Sequence, residues 1–159
     1  MSPSVVRGVG LGTLPKCRRS AYPPAVESER LIDVQRTDFV AVPSRNRERT
    51  IDFYEQTLGL RRNPNPSDTW IEFETGNLTL SIVVPEEVGI EFAPLPFGTI
   101  MLRVPDVEEA KAKLQAAGVE FLGETWDSGV CHGAVFLDPD GNSLGLHHRY
   151  APYPDGRLP

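Results

Sequence analysis

The chain has 159 residues, of which 40% are apolar and 24% charged, with a net charge of −6. That is enough for one compact domain with a single core. An acidic balance without a dense Lys/Arg run argues against a nucleic-acid partner. No apolar run approaches the roughly 20 residues of a membrane span. Cys17 and Cys131 fall in distant parts of the chain, the pattern of two free thiols in a reducing cytosol, so a cytoplasmic location is expected.

Residues 1–33 combine spaced glycines and prolines with neither helical nor strand period. Five basic against three acidic side chains give this stretch +2 and leave −8 for the remainder. It lacks the apolar core of a signal peptide, and its glycines neither follow a strand nor open a helix. A flexible extension is the expectation.

From Val34 the pattern tightens. Asp38–Val42 reads as a strand closed by Pro43. Asn46 can cap a helix to about Leu58, with Ile51, Tyr54 and Leu58 on one face and Gly59 as the stop. Residues 61–68 read as a loop, and 70–74 and 78–84 as strands about a Gly76-Asn77 turn. A proline-rich linker, 86–96, follows. The order then repeats: a strand at 99–104, an Asp106-x-x-Glu109 capping box, and a helix carrying Val107, Ala110, Leu114 and Ala117 that ends at Gly118. A strand at 119–123 completes the run before the last hairpin. A shift of 60 residues superposes Phe39 on Thr99, Asn46 on Asp106 and Tyr54 on Leu114. The reading is two copies of one unit, 34–85 and 97–150, pairing into one domain, with 151–159 as a tail.

The second unit closes on Gly129–Tyr150, two strands around Asp138-Pro139-Asp140-Gly141-Asn142. Proline presets φ in this turn, and Gly or Asn supplies a positive φ. All three histidines and Cys131 lie on this hairpin.

The repeated β-α-β-β-β unit, with Phe53-Tyr54 and Leu58-Gly59-Leu60 in the first copy and the Asp138–Asn142 turn in the second, resembles the vicinal oxygen chelate superfamily. That group holds the glyoxalases, bleomycin-resistance proteins and extradiol dioxygenases, and the match runs from about residue 34 to 150. The resemblance implies an α+β fold: two paired modules forming a curved mixed sheet around a cavity, helices on the convex side, and a homodimer. It also implies one divalent metal, on positions that fall here at Phe39, about Ser81, Thr99 and Gly145. The family places His or Gln, Glu, His and Glu there. None of the four residues present is a good ligand, so no cofactor is expected at the usual site.

Strand alternation then gives the cavity lining. If Gly145 faces inward, so do Ser143 and His147, while His148 faces out. A symmetric turn pairs Val135 with Gly145 and turns Gly133 and Cys131 inward, His132 outward. Thr99, Met101 and Arg103 follow from one strand, and Phe39 and Ala41 from its counterpart. Thr79, Ser81, Trp70 and Glu72 complete the wall.

His147, Glu72 and Cys131 are the groups able to do chemistry. His147 with Glu72 suits a general base and its orienter, or a hydrogen-bonded pocket wall. Cys131, diagonal to His147, suits an activated thiolate, or a small buried thiol turned away by a bulge between Gly129 and Gly133. The three together also suit a rearranged metal site. Arg103 suits either an ion pair with Glu72 or recognition of an anionic ligand. Two functions stay open: a metal-independent binder of a small organic molecule, or a lyase, isomerase, dioxygenase or transferase built on those three groups.

Overall fold

The fold is taken from a computed structural model that describes residues 31–64 and 67–159. The chain divides after Gln35, and Arg36–Pro159 is the unit described below. Most of the expected extension, residues 1–30, lies outside the described residues. None of their helices is long and apolar enough to cross a membrane.

The architecture is α+β, in two modules that each carry a four-stranded mixed sheet. In the first, β1 (Phe39–Pro43) leads into α1 (Arg47–Asp52), and β2 (Arg61–Arg62), β3 (Ile71–Glu74) and β4 (Thr79–Val83) follow. In the second, β5 (Ile100–Arg103) leads into α2 (Val107–Ala116), followed by β6 (Trp126–Asp127), β7 (Cys131–Leu137) and β8 (Ser143–Arg149). The strand orders are β1-β4-β3-β2 and β5-β8-β7-β6, so each first strand lies parallel to its module's last. The topology repeats, with the helices and β3/β7 starting 60 residues apart, as the sequence repeat anticipates, and the other strands 61 to 65 apart.

Both helices start where the caps were read. The Asn46 side chain accepts from the Arg49 amide at 3.0 Å, and that of Asp106 from the Glu109 amide at 2.9 Å. Only half of the capping box forms, because the Glu109 carboxylate turns to Lys113 one turn on. Past Asp52 the first helix widens. Phe53–Thr57 is a π-helical turn in which Leu58 donates to the Phe53 carbonyl, five residues back, at 3.0 Å. The expected single helix to Leu58 is thus two segments, and the wide turn carries the buried Tyr54.

Two strand readings need correction. The expected loop at 61–68 begins with the short β2, paired to Phe73 and Glu74. The expected strand 119–123 is irregular. It follows β7 through Leu122 to Val135 and Leu137 to Glu120 hydrogen bonds, then breaks at Gly123, whose φ is +84°. Regular pairing resumes at β6, which the sequence did not signal because its two residues show no period.

One face of each sheet, with both helices, feeds one core. Val42, Ile71, Phe73, Leu80 and Ile82 meet Ile100, Phe136, Leu144 and Leu146 there, along with Tyr54, Val107 and Leu114. A side chain such as Leu80 or Phe136, fully buried, contributes about 1.5–3 kcal/mol.

The β7–β8 turn joins the modules through side chains. Asp138 is buried and accepts from the amides of Asp140 and Asn142, the Asn142 amide side chain, and the Tyr54 hydroxyl. Asn142 also donates to the Pro43 carbonyl at 2.8 Å and accepts from the Leu95 amide at 2.9 Å. Asp140 accepts from the Thr50 hydroxyl, the Arg45 amide and the Arg49 guanidinium. A turn read as local punctuation is a buried polar hub.

Candidate functional site

The site follows from the faces turned away from this core. In the first sheet, Phe39 aligns with Thr79, and Ala41 with Ser81 and Glu72. Phe39 and Trp70 meet edge to face, with ring centroids 5.4 Å apart. The Trp70 indole donates to Glu72 at 2.7 Å. Ser81 is fully buried, and its hydroxyl has no hydrogen-bond partner among the described residues.

In the second sheet the expected register is present: Val135 pairs with Gly145, and Gly133 with His147. One transverse row runs Met101–Gly145–Val135, and the next runs Arg103–His147–Gly133–Trp126. Beyond them Cys131 pairs with Arg149. The ladder continues unbroken from Cys131 to Leu137, without the bulge weighed for Cys131. Two glycines make room for large side chains on this face. A Cβ at Gly145 would stand 2.4 Å from the Met101 sulfur, and one at Gly133 2.1 Å from the Trp126 ring.

The chemically capable groups have separate partners. Glu72 is held by Trp70. The Cys131 sulfur lies 3.0 Å from the Ser128 hydroxyl. The His147 ring lies 6.2 Å from that of Trp126, centroid to centroid. Among the described residues no hydrogen bond or ion pair joins Glu72 to His147, Cys131 or Arg103, and Arg103 has no acidic partner. Thr99 falls just before β5 and donates to the Pro96 carbonyl at 2.7 Å. His132 and His148 lie on the opposite side of the hairpin, near Asp127 and the Val104 carbonyl respectively. Trp126 belongs to this face and was missed, since only the fold of β6 onto Gly133 places it there.

Both outward faces are open. Phe39 is 46% exposed, and Trp70, Met101 and Trp126 are each 37% exposed.

Two pKa shifts bear on this geometry. Burial, then the charges of His148, Arg103 and Arg149, push the His147 imidazole below its usual value, so it is neutral at pH 7. Burial opposes ionisation of Asp140, but hydrogen bonds from the Thr50 and Ser44 hydroxyls, the Arg45 amide and the Arg49 side chain outweigh it and hold that carboxyl low. Both act in the same direction. The unfolded chain takes up a proton before the folded one, so stability falls with pH below about 6.5 for His147 and below about 4 for Asp140. Urea midpoints measured from pH 8 to 3 should show two declining limbs. His147→Gln should flatten the upper and Asp140→Asn the lower; unchanged limbs would refute the assignment.

A family model of the glyoxalase/bleomycin resistance protein/dioxygenase superfamily matches residues 36–146. The chain belongs to this superfamily. Among solved structures it is similar to TnmS3, an antibiotic binding protein from Streptomyces sp. CB03234, with 26% identity and a TM-score of 0.61 over 74% of this chain and 98% of that one. A glyoxalase/bleomycin resistance protein from the same organism is 28% identical, with a TM-score of 0.57 over 71% and 100%. A lactoylglutathione lyase from Agrobacterium tumefaciens, 17% identical with a TM-score of 0.58 over 72% and 94%, shares the fold. No curated protein matches the sequence.

The positions to which the resemblance carries the metal ligands do not fit an ion here. Phe39 and Gly145 offer no donor, the Met101 thioether lies over Gly145, and the Thr99 hydroxyl is committed to a backbone carbonyl. Among the described residues no three His, Cys, Asp or Glu side chains converge as a ligand set.

Proposed function

We propose that this protein is a cytoplasmic binder of a small organic anion, which it holds on the open sheet faces without a metal at the usual positions. The observation that carries this reading is Arg103. It stands in register with His147 on an open face, without an acidic partner among the described residues. A guanidinium so placed suits a carboxylate or phosphate through paired N–H donors. His147 beside it is neutral and able to donate or accept one hydrogen bond.

The exposed Phe39 and Trp70 on one sheet, and Met101 and Trp126 on the other, support a homodimer in which a second copy closes over these faces and leaves the ligand between them and itself. Thr79, Ser81, Val135 and Gly145 lie on the same faces and would contribute shape to the site. The likeness to an antibiotic binding protein fits a binding role. The engagement of Glu72 by Trp70 rather than by His147 favours binding over acid/base catalysis.

A thermal-shift screen of carboxylates and phosphates against their amides and alcohols tests the reading. The anions should raise the midpoint by mass action, and Arg103→Gln should abolish most of the rise. Stabilisation by neutral members alone, or none across the panel, would refute it. Sedimentation should find two copies per particle, and a monomer would refute the dimer.

A further inference from the structure

We propose that the Arg103–His147–Gly133–Trp126 row is a binding strip for a planar aromatic ligand that carries its negative charge at one end. The proposal rests on the anion-binding reading above and adds the shape of the ligand.

Four strands place these residues side by side, with Arg103 on β5 at one edge and Trp126 on β6 at the other. Three strand spacings separate the edges, about 14 Å of backbone. The indole closes part of that gap. It lies across Gly133, where even a Cβ would sit 2.1 Å from the ring, and it leans toward His147. Glycine at 133 therefore leaves the room that the indole occupies, and Trp126 remains 37% exposed.

A half-exposed indole seated against a strand between Gly133 and His147 offers ring surface for stacking, and aromatic pairs prefer offset contacts. Its N–H makes no hydrogen bond among the described residues, in contrast to Trp70, whose N–H is taken by Glu72. The strip thus offers a π surface, an imidazole and an unpaired guanidinium in one line. Neutral aliphatic ligands would use none of these well. An aromatic ring with a carboxylate beyond its edge would use all three.

The test uses the full chain and three probes measured by calorimetry: 2-naphthoate, the neutral 2-naphthamide, and the non-aromatic cyclohexanecarboxylate. 2-Naphthoate should bind at least about tenfold more tightly than either. Trp126→Ala should bring 2-naphthoate to the level of cyclohexanecarboxylate while keeping the preference for acid over amide. Arg103→Gln should erase the acid preference while keeping the aromatic one. Gly133→Ala, which displaces the indole, should mimic Trp126→Ala, and Trp126→Phe should restore part of the loss.

If other anions stabilise the protein but 2-naphthoate shows no such preference, or ignores both substitutions, the strip is refuted and the anion-binding reading survives. If no anion binds at all, both fall.

Discussion

Replacing Asp138 with alanine is expected to lower the unfolding free energy by about 3–5 kcal/mol, a large part of what holds a domain of this size. The reason is the set of donors it leaves behind. Two backbone amides, the Asn142 side chain and the Tyr54 hydroxyl all converge on this one buried carboxylate. Each donor left unpaired in the interior costs about 1–3 kcal/mol, partly relieved by local relaxation. Tyr54 cannot escape by ionising, because burial, the largest cause that raises its phenol well above the usual range, persists without Asp138. Chemical denaturation followed by circular dichroism measures the loss. Tyr54→Phe, which removes one donor and leaves its ring stacked on Phe73, should cost only about 1 kcal/mol. A loss below that in Asp138→Ala would show that the hub does not join the modules.

The second large effect is expected at Gly145, the position to which the family resemblance carries a metal-binding glutamate. Gly145→Glu should destabilise the protein by about 1–3 kcal/mol and should not create a metal site. Any Cβ there meets the Met101 sulfur at 2.4 Å and its terminal methyl at 2.5 Å, with the Ala134 carbonyl oxygen at 3.0 Å. The thioether can swing aside, so Met101→Ala should recover part of the loss, whereas the carbonyl cannot. The added carboxylate would stand beside Met101 and Val135, neither of them a ligand for a hard ion, and a lone carboxylate is a poor site for a divalent ion. Thermal melting and calorimetric titration with zinc and manganese read both outcomes. Stoichiometric metal binding, or melting unchanged from the parent protein, would contradict this account.

These two positions also show how far the sequence could be read. The repeat, the helix caps at Asn46 and Asp106, and the register that pairs Val135 with Gly145 were all legible, because period and turn chemistry are local properties of the chain. That Phe39 and Gly145 carry no donor was legible too, since residue type alone decides whether a side chain can donate. The partners of His147, Glu72 and Cys131 were not. Strand alternation assigns a face, but it does not say which side chains meet across that face.

The sequence by itself determined the fold class, the two-module order and the absence of good ligands at Phe39, Ser81, Thr99 and Gly145. Only the tertiary structure decided that Asp138, Asp140 and Asn142 are a buried hub rather than an exposed turn, since their hydrogen-bond partners come from residues 43–54 and 95. It alone placed Trp126 on Gly133, across strands that the sequence separates by a loop. The physical division is between interactions within a few residues, which leave a pattern in the chain, and contacts that form only once distant segments pack together.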